Sequence, residues 1–107
     1  MDMRFEVREY VEDGRSAFRD WFDRLDPVTA ARVDRCIRRT EAGNFGAAKA
    51  LRDGVFELRL NFGPGYRVYY GLDGKTLVIL LGGGDKRRQA ADITAAVERW
   101  KRYKLGG

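Results

Sequence analysis

Residues 61–89 read NFGPGYRVYYGLDGKTLVILLGGGDKRRQ, and the turns inside this stretch set the strands around it. Asn61-Phe62-Gly63-Pro64-Gly65 reads as a turn, because glycine permits positive φ and proline fixes its own. Residues 66–71 follow as a strand in which Tyr66, Val68 and Tyr70 alternate with Arg67 and Tyr69. Leu72-Asp73-Gly74-Lys75 supplies a hairpin turn. Residues 76–81 are apolar on both faces, which predicts a central strand, and Gly82-Gly83-Gly84 is expected to end it. Just upstream, Phe56, Leu58 and Leu60 alternate with Glu57 and Arg59, so residues 55–60 form the strand that enters the first turn.

Working outward, Asp85 can cap a final helix in which Ile93, Val97, Trp100 and Lys104 share a face. Toward the N-terminus, residues 44–54 read as a loop holding Lys49 and Arg52. Before it, Asp26-Pro27 offers an N-cap and an N1 proline for a helix with Ala30, Val33, Cys36 and Ile37 on its apolar side, stopped at Gly43. Phe18, Trp21, Phe22 and Leu25 fall at i, i+3, i+4 and i+7 and form the buried stripe of a helix over 16–25. So short a link makes the two helices an antiparallel hairpin. Residues 4–10 alternate, with Phe5 and Val7 on one face, as a first strand. The order is β-α-α-β-β-β-α: an α+β fold whose antiparallel-rich sheet is packed by an N-terminal helical hairpin and a C-terminal helix. At 107 residues the chain is expected to be one domain over 1–107.

Composition removes several chemistries. The chain has no histidine and one cysteine, so a Ser-His triad, a histidine metal site and a structural zinc site are excluded, and Cys36 cannot form an internal disulfide. No apolar leader or apolar run of about 18 residues is present, which points to a cytoplasmic protein without a membrane partner. The net charge of +5 resides wholly in residues 54–107, since residues 1–53 are neutral. Such one-sided charge suits a polyanion or an acidic protein. The triple glycine lacks P-loop spacing, and nucleotide binding is not expected.

If the hairpin turns about Gly63, Arg59 lies opposite Arg67 and Glu57 opposite Tyr69. Cross-strand partners share a face, so these four line one side, and both arginines should be exposed there. Lys86, just past the end of the next strand, reaches the same rim. Facing arginines repel unless an anion joins them: either Glu57, Asp85 or Asp92 neutralises them, or the rim cradles phosphate, whose oxygens match paired guanidinium donors.

With those residues in view, the chain resembles the RelE/ParE superfamily of bacterial toxin–antitoxin toxins, and most of all the HigB-like addiction module killer subgroup. The carrying stretches are DGVFELRLNFGPGYRVYY at 53–70 and LLGGGDKRRQAADITAA at 80–96, and the element order matches over residues 4–104. The resemblance implies a RelE-like fold and, with no cofactor or metal, a ribosome-dependent messenger RNA endonuclease. Its expected partners are messenger RNA on the ribosome and a helix-turn-helix antitoxin. By position it makes Arg59, Arg67 and Lys86 the candidate catalytic residues, with Tyr69 and Tyr103 behind them.

In such cleavage the 2′-hydroxyl attacks the neighbouring phosphate, and Arg59 and Arg67 would hold the charge that develops. Like charges disfavour the protonated form of a lysine set beside two arginines, so Lys86 is a candidate base, with Glu57 the alternative if it faces the site. The terminal run RWKRYK, including Lys101, Arg102, Tyr103 and Lys104, suits RNA-backbone contact, and Trp100 within it reads as core. Two rival readings share the fold: a ParE-like inhibitor of DNA gyrase without nuclease chemistry, and a degenerate member that only binds its antitoxin.

Overall fold

The computed structural model describes residues 4–106. The first strand, β1 (Glu6–Glu9), turns Phe5 and Val7 to the core. It is followed by a two-residue ladder, β2 (Val11–Glu12) against β3 (Arg15–Ser16), closed by Asp13 and Gly14 at positive φ. Helix α1 (Ala17–Phe22) starts at Ser16, whose hydroxyl accepts from Arg19 N–H. It is shorter than the apolar spacing predicts. Arg24 and Leu25 N–H reach back only three residues, to Trp21 and Phe22, because the residue before Pro27 must be extended and the helix unwinds ahead of it. Asp26 is extended (φ −67°, ψ 159°) and caps α2 (Pro27–Glu41) by accepting from Thr29 N–H at 3.0 Å.

Five strands form the main sheet in the order β1-β7-β6-β5-β4, where β4 is Ala48–Ala50, β5 Val55–Arg59, β6 Arg67–Asp73 and β7 Leu77–Gly84. Among the described residues only β1 and β7 pair in parallel. The predicted central strand is central: Val78, Ile79, Leu80 and Leu81 are all buried, because α1 and α2 cover one face of the sheet and α3 (Gln89–Lys104) covers the other. No helix among the described residues is long and apolar enough to cross a membrane.

Two expectations are corrected. The segment 44–54 contains a strand, β4, which pairs with β5 at the sheet edge. Its sequence Ala-Lys-Ala is exposed throughout and carries no apolar alternation to mark it. The triple glycine does not end β7: all three glycines stay in the ladder, opposite Tyr69, Val68 and Arg67. They are there for clearance. A Cβ on Gly83 would lie 2.2 Å from Trp21 of α1, and one on Gly84 would lie 2.1 Å from Asp92 of α3. Gly71 of β6 does the same for Trp100, whose ring atoms lie 2.6 Å from where its Cβ would be. Without these side chains helices on both faces settle directly onto the strands.

Asp85 caps as predicted, though one step removed. Its Oδ1 accepts from Arg87 N–H at 2.9 Å and closes a 3-10 turn over Lys86–Arg88, which leads into α3. Along α3, Ile93, Val97 and Trp100 meet the sheet, and Lys104 is exposed with its ammonium 5.7 Å from the Trp100 ring.

Candidate active site

The turn at Gly63-Pro64-Gly65 sets the register of the β5–β6 hairpin. Both glycines have positive φ, +64° and +78°, which glycine adopts without steric cost. The ladder leaving the turn places Arg59 opposite Arg67 and Glu57 opposite Tyr69, as the sequence predicts. Lys86 joins them through the backbone, its N–H donating to Pro64 O at 3.3 Å, and a Cβ on Gly65 would sit 3.0 Å from Arg67 Nη1 and 3.3 Å from Lys86 Cβ. The turn thus carries Arg67 on one side and Lys86 on the other.

The shared face, however, is not open. Helix α3 lies across it, and Glu57 is 2% exposed, Tyr69 0% and Arg67 8%. Arg59 alone of the four is exposed. Exposure was expected because charged residues alternating with apolar ones normally mark a solvent face. Here the charges are paired under the helix instead. Arg67 Nε lies 3.4 Å from Glu57 Oε1, an ion pair by distance but too poorly directed to count as a hydrogen bond. Arg67 Nη1 donates to Gly65 O at 2.6 Å, and Glu57 Oε1 accepts from Gln89 Nε2 at 3.2 Å. Nη2 has no partner among the described residues. Glu57 therefore holds Arg67 in place, and its burial bars it from reaching an RNA hydroxyl.

Tyr69 lies under a cleft of about 250 Å³ between α1 and α3, shared with Arg88, Asp92 and Arg99. Burial, reinforced by Asp92, pushes its phenol up to about 12, so it stays neutral, and its buried hydroxyl has no hydrogen-bond partner among the described residues. It is sealed against stacking on a nucleobase. Asp92 itself is raised by burial, against the pull of Arg88. A carboxyl whose folded value lies above its unfolded one contributes stability fully below the unfolded value and loses it as pH rises through the folded value. Asp92→Asn should therefore raise the thermal midpoint at pH 7 by about 1–3 °C, limited by partial exposure. The gain should fade below about pH 4; calorimetry at the two pH values checks this, and equal gains at both would mean the carboxylate charge is not the cause.

The basic C-terminal run belongs elsewhere. Tyr103 stacks on buried Trp100 (5.1 Å, 6°) and donates to Asp73 Oδ2 at 2.6 Å. Arg102 is paired with Glu12 and Lys101 with Glu98. Tyr103 and Lys104 lie at the Asp73 end of β6, six positions from Arg67, or about 20 Å along a strand, whereas Arg102 reaches Glu12 of β2. Lys101, Arg102, Tyr103 and Lys104 are thus not part of the Arg59–Arg67–Lys86 rim.

Arg59 has other neighbours. It opens onto a cleft of about 260 Å³ shared with Arg32, Arg35 and Arg39 of α2. Their i, i+3, i+7 spacing was visible in the sequence, but the balanced charge of residues 1–53 concealed that the cations and acids of that half occupy different faces.

The family model described as Phage derived protein Gp49-like (DUF891) matches residues 20–103, which include every element from α2 to β7, all but the last residue of α3, and the whole rim. The chain belongs to the Gp49-like family. That family is of the RelE/HigB toxin type, in line with the resemblance carried by residues 53–70 and 80–96. An uncharacterized protein of Haemophilus influenzae is similar to this Gp49-like chain, 46% identical over 80 residues that cover 74% of this chain and 81% of its own length.

Proposed function

We propose that this Gp49-like protein is the toxin of a type II toxin–antitoxin module and acts as a metal-independent, ribosome-dependent messenger RNA endoribonuclease in the cytoplasm, held in check by a helix-turn-helix antitoxin. The observation that carries the reading is the turn that sets Arg59, Arg67 and Lys86 around one end of the hairpin.

The residues divide the work by exposure. Arg59 is free to approach a phosphate. Arg67, fixed by Glu57 and Gly65 O, offers its remaining nitrogen from a preset position, which is what stabilisation of developing charge requires. Lys86 is exposed at the same turn, and its amine, in the neutral form that alone can accept, takes the proton of the 2′-hydroxyl. The 2′ oxygen then bonds to phosphorus and the bond to the 5′ oxygen breaks. The products are a 2′,3′-cyclic phosphate and a 5′-hydroxyl that gains its proton from water at the open rim. Glu57 is a positioning residue in this scheme, and Tyr69 and Tyr103 are packing residues.

Brief induction in a bacterial host, followed by mapping of new 5′ ends, tests the reading. Cuts within translated frames are expected, and Arg59→Ala should reduce them about 100-fold while leaving stability within about 0.5 kcal/mol, since the side chain is exposed. Growth arrest with intact messages and disturbed supercoiling would favour a gyrase inhibitor instead.

A further inference from the structure

The cleft beside Arg59 is lined by charge of one sign. Arg32, Arg35 and Arg39 come from one face of α2 and Arg59 from the end of β5, and no carboxylate is among its lining residues. Among the described residues none of the four takes a salt bridge. The acids of α2 are diverted: Asp34 and Glu41 both pair with Arg38, at 3.1 and 2.8 Å. Two of the guanidinium groups are held in place by uncharged partners. Arg32 lies over the Phe62 ring, 4.0 Å from its centroid, and Arg39 Nη2 donates to Cys36 Sγ at 3.0 Å. Four like charges are gathered, two of them held in place, and none has a counterion among the described residues.

We propose that this cleft binds the phosphodiester backbone of single-stranded RNA and guides it over Arg59 to the Arg67–Lys86 rim. The inference rests on the nuclease reading and adds the path of the substrate. Guanidinium forks match phosphate oxygens in pairs. The three helix arginines span about 10 Å of α2, room for two or three consecutive phosphates of one strand. Arg59 belongs to both places: it lines the cleft, and it lies opposite Arg67 in the ladder. That continuity favours a nucleic acid over an acidic protein segment, which would have no reason to lead to the rim.

Cys36, the one cysteine of the chain, lines the cleft and serves as a reporter. The probe is a short single-stranded 2′-O-methyl oligonucleotide, which lacks the hydroxyl needed for cleavage. It should slow alkylation of Cys36 by neutral iodoacetamide in the unaltered protein. The double variant Arg35→Gln/Arg39→Gln, both exposed positions, should bind the oligonucleotide about tenfold more weakly, with a plot of log affinity against log salt shallower by about 1 to 1.5. Unchanged affinity in the variant, or no protection of Cys36, overturns the proposal. So does protection by a deca-glutamate peptide where the oligonucleotide gives none, which would assign the cleft to an acidic protein. Oligonucleotide binding through the cleft in a protein that makes no cuts in cells would leave the cleft standing and remove the nuclease reading.

Discussion

Arg67→Ala should destabilise the protein by about 3–5 kcal/mol, the cost of leaving one member of a buried ion pair alone. Arg67 is 8% exposed and Glu57 2%, and without the guanidinium Glu57 keeps only the 3.2 Å contact from Gln89 to offset its desolvation. A loss of that size is a large share of the roughly 5–15 kcal/mol that holds an average domain. Cleavage lost in this variant would be uninterpretable, since a poorly folded protein also cuts nothing. The control is to remove both charges. Arg67→Met with Glu57→Gln should recover most of the stability, because replacing a buried pair altogether is often close to neutral, while cleavage stays lost. Urea unfolding of the single and double variants, alongside 5′-end mapping, separates the two roles. Full stability in Arg67→Ala would show that the pair contributes nothing to the fold, and restored cleavage in the double variant would remove Arg67 from the chemistry.

The second large effect concerns a residue with no side chain. Gly83→Ala would set a methyl group 2.2 Å from Trp21 Cε3 and 2.6 Å from Cδ2 and Cζ3. Neither side can yield easily: the strand is fixed by its pairing with Val68, and Trp21 is buried against Phe18 (5.9 Å) and Tyr66 (6.2 Å). Overpacking of this kind costs about 1–3 kcal/mol, or roughly 4–8 °C of midpoint per kcal/mol near this size. The substitution should cost less in a Trp21→Phe background, where the smaller ring leaves room. Equal losses in both backgrounds would place the strain in the strand backbone rather than against the indole.

Gly83 and Arg67 also mark where the sequence was legible and where it was not. The register that sets Arg59 against Arg67 could be read because it depends on a local signal, the Gly-Pro-Gly turn, and on strict two-residue alternation. The central position of β7 was readable for the same reason: a strand apolar on both faces must be covered twice. Burial of Glu57, Arg67 and Tyr69 was not readable from the strands, because it is decided by α3, a segment some thirty residues away in sequence, lying over their face. The sign of that overlay was present in Gly71, Gly82 and Gly84, glycines on the α3 side that a strand has no need of unless something packs close. They read instead as a strand terminus. β4 was hidden because an edge strand of small and polar residues carries no hydrophobic period. The C-terminal run reads as an RNA-contact segment by its chemistry alone, which says nothing of its distance from the rim; the helix that carries it runs from the rim to the far end of the sheet.

The parallel ladder between β1 and β7 governs the order in which a newly made chain can become folded. It pairs residues 6–9 with residues 77–80, and β7 is the strand against which both faces are completed. While the chain is emerging, α1 and α2 have no finished surface to rest on, and the first strand waits unpaired until β7 has been translated. Contacts so distant in sequence are slow to close. The rim assembles later still, since Lys86 follows β7, so the nascent chain carries no complete site until that residue has been made.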